Sequence, residues 1–387
     1  MIHPVKMQAA LDAKRDLFKN IDSELQKDFQ SLNNAIDEYE NLKVEEILDK
    51  ISEVKQPGSY PTQEHSIASD MVISFKEEWN NHQESRGWAK EKIKGVITFA
   101  ADGSQIMPSK DISVPVGVVQ VGWFENNHQD DGGYIKDIAV DVLSPKEFAG
   151  DALSSFPDQE INWKRFELEI ETLIQFMERN VDSKPTPICF FDGSLILSFV
   201  QHVHPNRQAD YVNIINKLID TSERTRVLLV GYVDTSYATD IVSLLSHVTN
   251  LTLSGRISDA GMLRIKMKWG DRTPVFICGR DDSVQNKYYH RVCFSYLRTT
   301  GTNPPARIDF PRWIFEEDQH ERMIDLIRAE VVIGAGYPYA LETADALAVL
   351  SFNDRDHFYK IFQEFAKKEG FSLRFGTKST SKRKRRI

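Results

Sequence analysis

Thr98-Phe99-Ala100-Ala101-Asp102-Gly103-Ser104 has a counterpart further along the chain, Cys189-Phe190-Phe191-Asp192-Gly193-Ser194-Leu195. In each, a short run of strand-forming residues delivers an aspartate into a Gly-Ser pair. The pattern predicts one strand over residues 96–101 and a second ending at Asp192, each closed by a glycine turn. A buried strand that brings an acid to the edge of a sheet fixes that acid's position. Two such strand ends can meet around one metal ion.

Working outward, residues 114–124 and 134–143 read as strands separated by polar, glycine-rich connections, which makes an antiparallel meander with the first. A helix is expected over 162–179, then the strand ending at Asp192 and an apolar segment at 195–200. A helix at 209–219 and a strand at 226–233 follow. The order is β-β-β-α-β-α-β, with an acid ending the first strand and another ending the fourth. That order resembles the ribonuclease-H-like fold, an α/β mixed sheet flanked by helices. The resemblance implies that the first and fourth strands lie adjacent and parallel.

The helix between the two acids carries Phe166, Ile170, Leu173, Ile174, Phe176 and Met177 on one arc at ~100° per residue. Glu169 falls inside that arc, whereas Glu167 and Glu171 lie outside it or at its margin. A glutamate on a buried stripe is costly without a partner. A divalent cation or an arginine can supply one, and the two aspartates expected nearby favour the cation. Glu171 takes the role if the helix is rotated.

Towards the C-terminus, residues 331–333 read as a strand running into the turn Gly334-Ala335-Gly336. Tyr337-Pro338 then opens a helix that turns Leu341, Ala344, Leu347 and Ala348 inward, and Asp345 can approach the same face.

Taken in order, Asp102-Gly103-Ser104, the helical glutamate, Asp192-Gly193-Ser194-Leu195 and Tyr337-Pro338…Ala344-Asp345 resemble the NurA nuclease family over roughly residues 90–350. The resemblance implies a Mn2+-dependent deoxyribonuclease, with Mg2+ the alternative ion. It further implies 5′→3′ exonuclease action on single- and double-stranded DNA ends, a homodimer, and a HerA-type hexameric translocase as partner in end resection. By resemblance Asp102, Glu169 and Asp192 are metal ligands and Tyr337 lies in the active site. Asp345 stands where several family members carry histidine. Aspartate suits a hard divalent ion but cannot serve as a neutral imidazole or as a cation. The expected scheme is two ions bridged by Asp102, with Glu169 and Asp192 on one and Asp345 on the other. Tyr337 is expected to orient the phosphate or the water.

The totals frame this reading. At 387 residues, 41% hydrophobic and 27% charged, the composition is that of a soluble globular protein. No apolar run approaches the ~18 residues of a membrane span, and the N-terminus has no signal-peptide core. Three scattered cysteines fit reduced core thiols, so a cytoplasmic location is expected. The net charge of −9 argues against a protein that coats nucleic acid, though a nuclease site must itself be acidic to hold metal.

Residues 1–60 read as a helical arm, with Leu11, Phe18, Leu25, Leu32 and Tyr39 at sevenfold spacing. Such an arm either packs on its own domain or binds a partner. Residues 61–93 form a linker and helical connection, 94–352 the nuclease domain, and 353–387 a helix with a basic tail. Residues 252–298 are locally basic, with Trp269, Tyr288, Tyr289 and Tyr296 interleaved, a composition suited to single-stranded DNA or to solvated strand faces. No P-loop is present, so any translocation belongs to a partner. The competing readings are an actin/hexokinase-like phosphotransferase and a non-catalytic adaptor that docks on a hexameric ATPase.

Overall fold

The computed structural model describes residues 2–109, 112–129, 132–148, 157–255, 257–280 and 288–374. Nine strands lie among them: β1 (Gly58–Pro61), β2 (Thr98–Ile106), β3 (Gly117–Asn126), β4 (Tyr134–Leu143), β5 (Ile188–Asp192), β6 (Leu228–Val233), β7 (Phe276–Gly279), β8 (Val292–Leu297) and β9 (Ala306–Pro311). No helix among the described residues is long and apolar enough to cross a membrane. The chain divides into two compact units. One is built from residues 1–78, 233–283 and 287–315, the other chiefly from 79–232 and 316–387.

The second unit contains both Asp-Gly-Ser triplets. Its strands run in the order β6-β5-β2-β3-β4. β2, β3 and β4 form an antiparallel meander, while β5 lies parallel to both β2 and β6. This is the ribonuclease-H-like α/β arrangement that the order of elements implied. β2 and β5 pair from Thr98↔Ile188 to Ala101↔Phe191, so Asp102 and Asp192 are the next residues on adjacent parallel strands. Phe99, Ala100, Ala101, Cys189, Phe190 and Phe191 are all buried, because helices cover these strands on both faces. The Pro157–Arg179 helix covers one face, where Phe99 stacks on Phe176 with ring centroids 4.2 Å apart. The Tyr339–Ala348 helix covers the other, with Tyr339 edge-on to Phe124.

Two local expectations are corrected. β2 does not end at Asp102; it continues through Gly103 and Ser104 to Ile106, because β3 is long enough to pair with it throughout. The glycine turn is found after Asp192, where Gly193 has φ +149°. Residues 331–333 are not a strand but the last turn of the His320–Ile333 helix. Met323, Ile324, Leu326 and Ile327 are buried at helical spacing, and that packing overrides the β preference of the Val-Val-Ile run. The apolar segment at 195–200 becomes a buried turn that enters a 3₁₀ helix, Ser198–His202.

The first unit joins β1-β7-β8-β9 in antiparallel order. The later half of the Arg15–Glu40 helix packs here, with Leu32, Ile36 and Tyr39 in one core with Ile241, Leu244, Leu245 and Val248. Leu11, Leu17, Phe18 and Ile21 stay exposed. Much of the basic, aromatic segment is used inside the unit, although Arg264 and Lys268 are exposed. Tyr288, Tyr289 and Tyr296 are buried. Arg272 forks onto Glu64 at 2.6 and 2.7 Å, Arg280 onto Asp240 at 2.5 and 2.8 Å, and Lys266 pairs with Asp70. These cations hold the unit together. Lys287 and the basic run at 382–386 lie outside the described residues.

Candidate active site

Side chains alternate across a strand, so Asp102 and Ser104 face the Tyr339–Ala348 helix while Gly103 faces the Pro157–Arg179 helix. Each face is built to let its helix come close. On the first, Gly122 sits opposite Asp102 in the β2–β3 ladder. A Cβ on Gly122 would lie 2.8 Å from both the Ala348 amide nitrogen and the Leu347 Cβ, so the helix rests directly on the strand backbone. Gln120 Nε2 donates to the Leu347 and Ala348 carbonyls at 3.2 and 3.1 Å, and Ser104 Oγ accepts the Leu350 amide at 3.4 Å. This anchoring sets Asp345, on the same helix, against Asp102, close enough for the two carboxyls to interact.

On the second face, a Cβ on Gly103 would lie 2.7 Å from Arg165 Cγ and 3.3 Å from Glu169 Oε2. The missing side chain is the opening through which both residues reach β2. Arg165 Nη1 donates to Glu169 Oε2 at 3.1 Å and to the Gly103 carbonyl at 3.4 Å. Glu169 is 2% exposed. Glu167 is half-buried and tied to Lys164 at 2.9 Å, and Glu171 is half-buried as well. The arginine partner weighed for the helical glutamate is therefore present. Tyr337 completes the group: its hydroxyl donates to Asp192 Oδ1 at 3.2 Å and its ring packs edge-on against Tyr232 at 5.1 Å.

All five expected residues, Asp102, Glu169, Asp192, Tyr337 and Asp345, are thus brought to one end of β2 and β5. Their electrostatics reflect the crowding. Burial, then repulsion from Asp192 and Asp345, pushes the Asp102 carboxyl up to about 6, against the Gly103 amide that favours its charge. Burial pushes Glu169 up to about 8; Arg165 opposes this, and Asp102 and Asp192 add to it. The donor set is all oxygen, which suits a hard divalent cation. Such a cation would relieve the repulsion that now favours protons at these carboxyls. The acids ring a space without yet converging: among the described residues, no three of their carboxylate oxygens lie within 4.8 Å of one another. Asp192 and Asp345 are exposed, whereas Glu169 is buried.

Three residues that sequence reasoning passed over also shape the site. Arg165 carried a signal, its i,i+4 spacing to Glu169. Gln120 and Glu330 carried none. Glu330 is fully buried, and its Oε2 accepts the Ala340 amide at 2.8 Å, fixing the first turn of the helix that bears Asp345.

The fold and the cluster of acids define a class, an acid-rich site at the strand ends of a ribonuclease-H-like sheet. The sequence profile of the NurA domain matches residues 96–350, and the chain belongs to the NurA family. Family membership supports a nuclease function. No curated protein sequence matches the chain significantly. Among solved structures, it is similar to a crystal structure of NurA with manganese at 10% identity and a TM-score of 0.40, covering 82% of this chain and 96% of that one. It is also similar to the catalytic domain of human endonuclease V at 14% identity and TM-score 0.31, covering 76% and 92%. An Argonaute of Aquifex aeolicus matches at 10% identity and TM-score 0.26, covering 66% and 28%.

Proposed function

We propose that this chain is a Mn2+-dependent deoxyribonuclease, active with Mg2+ as the alternative ion, that hydrolyses phosphodiester bonds at DNA ends with 5′→3′ polarity. The observation that carries the reading is the register of β2 and β5, which sets Asp102 beside Asp192 with Asp345 and Glu169 approaching from opposite faces. Asp102, Glu169, Asp192 and Asp345 would hold two ions. Bound there, the ions would supply Lewis acidity and an activated water for attack on phosphorus. Tyr337 donates its one hydroxyl proton to Asp192 and holds it in place, and its oxygen can accept a hydrogen bond from a water beside the phosphate. Arg165 balances Glu169 and sets one cation at the edge of the site for the strand's backbone. Polarity, a homodimer and a HerA-type hexameric translocase as partner rest on family resemblance. End-labelled linear DNA, single- and double-stranded, incubated with purified protein and Mn2+ tests the reading. Release of short products that stops with chelator is expected; intact DNA would refute it.

Protons and metal compete for the same oxygens. Glu169 and Asp102 bind protons more tightly in the folded chain than in an unfolded one, so the stability this contributes is complete below about pH 4. It is lost as pH rises through about 6 for Asp102 and about 8 for Glu169. The metal-free protein should therefore melt at a lower temperature at about pH 8 than at about pH 5.5, and Mn2+ should raise Tm more at the higher pH. A metal-induced shift that is equal at both pH values would contradict this.

Gly103→Ala provides a second check. The new methyl meets the flexible stem of Arg165, so Tm should fall by only a few degrees. Arg165 and Glu169 are pushed back from the strand, and cleavage should drop by about tenfold or more. Wild-type cleavage rates would show that this close approach is dispensable.

A further inference from the structure

Beside the acids lies a cavity of about 570 Å3, within the about 300–1,000 Å3 typical of small-ligand pockets. Glu169 and Asp192 form part of its wall, so it opens directly into the candidate active site. Its apolar lining combines aromatic rings with Ile196, Leu197 and Val203. Phe166 and Tyr211 lie 5.0 Å apart, and Phe199 stands at 89° to Tyr211 with centroids 5.3 Å apart. Phe199 projects from the Ser198–His202 turn and is 46% exposed, which is unusual for a phenylalanine whose neighbouring rings are buried. Gln159 and Asn162, from the first turns of the Pro157–Arg179 helix, place side-chain amides on the same wall, with Arg165 between them and the acids.

We propose, resting on the nuclease reading above, that this cavity receives the unpaired nucleobase next to the scissile phosphate at a DNA strand end. The cavity is continuous with the acids, so a strand whose phosphate lies against them must put its neighbouring nucleoside here. An exposed ring over an aromatic floor is a stacking platform for any base, since every base offers a π face. The Gln159 amide, and the Asn162 NH2 whose Oδ1 already accepts from Gln105 Nε2 at 3.2 Å, can pair with a base edge, and Arg165 with the connecting phosphate. A base inside a duplex is already stacked on both sides and paired along its edge, so it must leave the stack to enter. The pocket thereby favours frayed or single-stranded ends over fully paired interior DNA.

The test uses full-length protein carrying Asp102→Asn, with Mg2+, and single-stranded oligonucleotides bearing 2-aminopurine at the terminal nucleotide or at an interior one. Stacking in the pocket should quench the terminal probe and leave the interior probe largely unchanged. Phe199→Ala should abolish that quenching and weaken oligonucleotide binding about tenfold. Phe199→Tyr should preserve both. Equal quenching with and without the Phe199 ring, no terminal quenching, or no oligonucleotide binding would each overturn the proposal. Its failure is separable from failure of the nuclease reading. Wild-type protein that digests DNA while Phe199→Ala leaves the probe signal intact removes the pocket alone; terminal quenching in a protein that never cleaves DNA removes the nuclease alone.

Discussion

The Asp102→Asn protein is expected to lose Mn2+-dependent DNA cleavage by about a thousandfold or more, equivalent to about 4 kcal/mol of transition-state stabilisation. At about pH 8 without metal, it should be as stable as the wild type or more stable. The two halves of this result have one cause. Asp102 sits where burial, the Asp192 charge and the Asp345 carboxyl all disfavour a negative charge. Asparagine has nearly the same shape, keeps the strand position opposite Gly122, and removes that charge. The fold is relieved of a repulsion, while the site loses the carboxylate that the proposed mechanism assigns to its metal ions. A residue conserving only the fold would behave in the opposite way, with Tm falling and residual activity tracking the folded fraction. Melting curves with and without Mn2+, beside cleavage rates, separate the cases: the variant should also lose most of the Mn2+-induced rise in Tm. Retained cleavage would remove Asp102 from the proposed chemistry.

The parts of this site that were legible in the sequence are those set by short-range patterns. Asp102 and Asp192 stood out because strands buried on both faces read as continuous apolar runs, and each run stops at an acid. Glu169 stood out because a helix repeats its buried arc over several turns, so a charge within the arc is visible from its neighbours. What stayed hidden depends on residues far apart in the chain. Both Asp-Gly-Ser triplets suggested a turn, yet only Gly193 makes one; Gly103 is glycine because Arg165, 62 residues on, must pass where its side chain would be. The basic segment shows the same dependence. Arg272 and Arg280 look like free cations beside aromatics until Glu64 and Asp240 are brought to them by folding. The Val331-Val332-Ile333 run shows tertiary packing overruling local preference. The cavity beside the acids was equally invisible, since Phe166, Phe199 and Tyr211 come from two helices and a turn.

Gly122→Ala is expected to be among the most damaging single-methyl changes in the unit that carries the site. Its Cβ would sit 2.8 Å from the backbone nitrogen of Ala348, and a backbone atom cannot swing aside as the Arg165 stem can at Gly103. The Tyr339–Ala348 helix must instead lift from β3 as a body. That breaks the Gln120 bonds to the Leu347 and Ala348 carbonyls and pulls Asp345 away from Asp102. Overpacking of this kind costs about 2–3 kcal/mol and should lower Tm by about 5–10 °C. The comparison with Gly103→Ala is the informative one, because the two glycines are near neighbours in one ladder and face opposite helices. At Gly103 the loss should appear mainly in activity; at Gly122 it should appear in both activity and stability. At Gly122 added Mn2+ should recover little Tm, since Asp345 no longer stands where an ion would need it. If the Gly122→Ala protein melts like the wild type and still gains the full Mn2+ shift, the helix is not held by this contact. Asp345 would then owe its place beside Asp102 to Glu330 and the first turn alone.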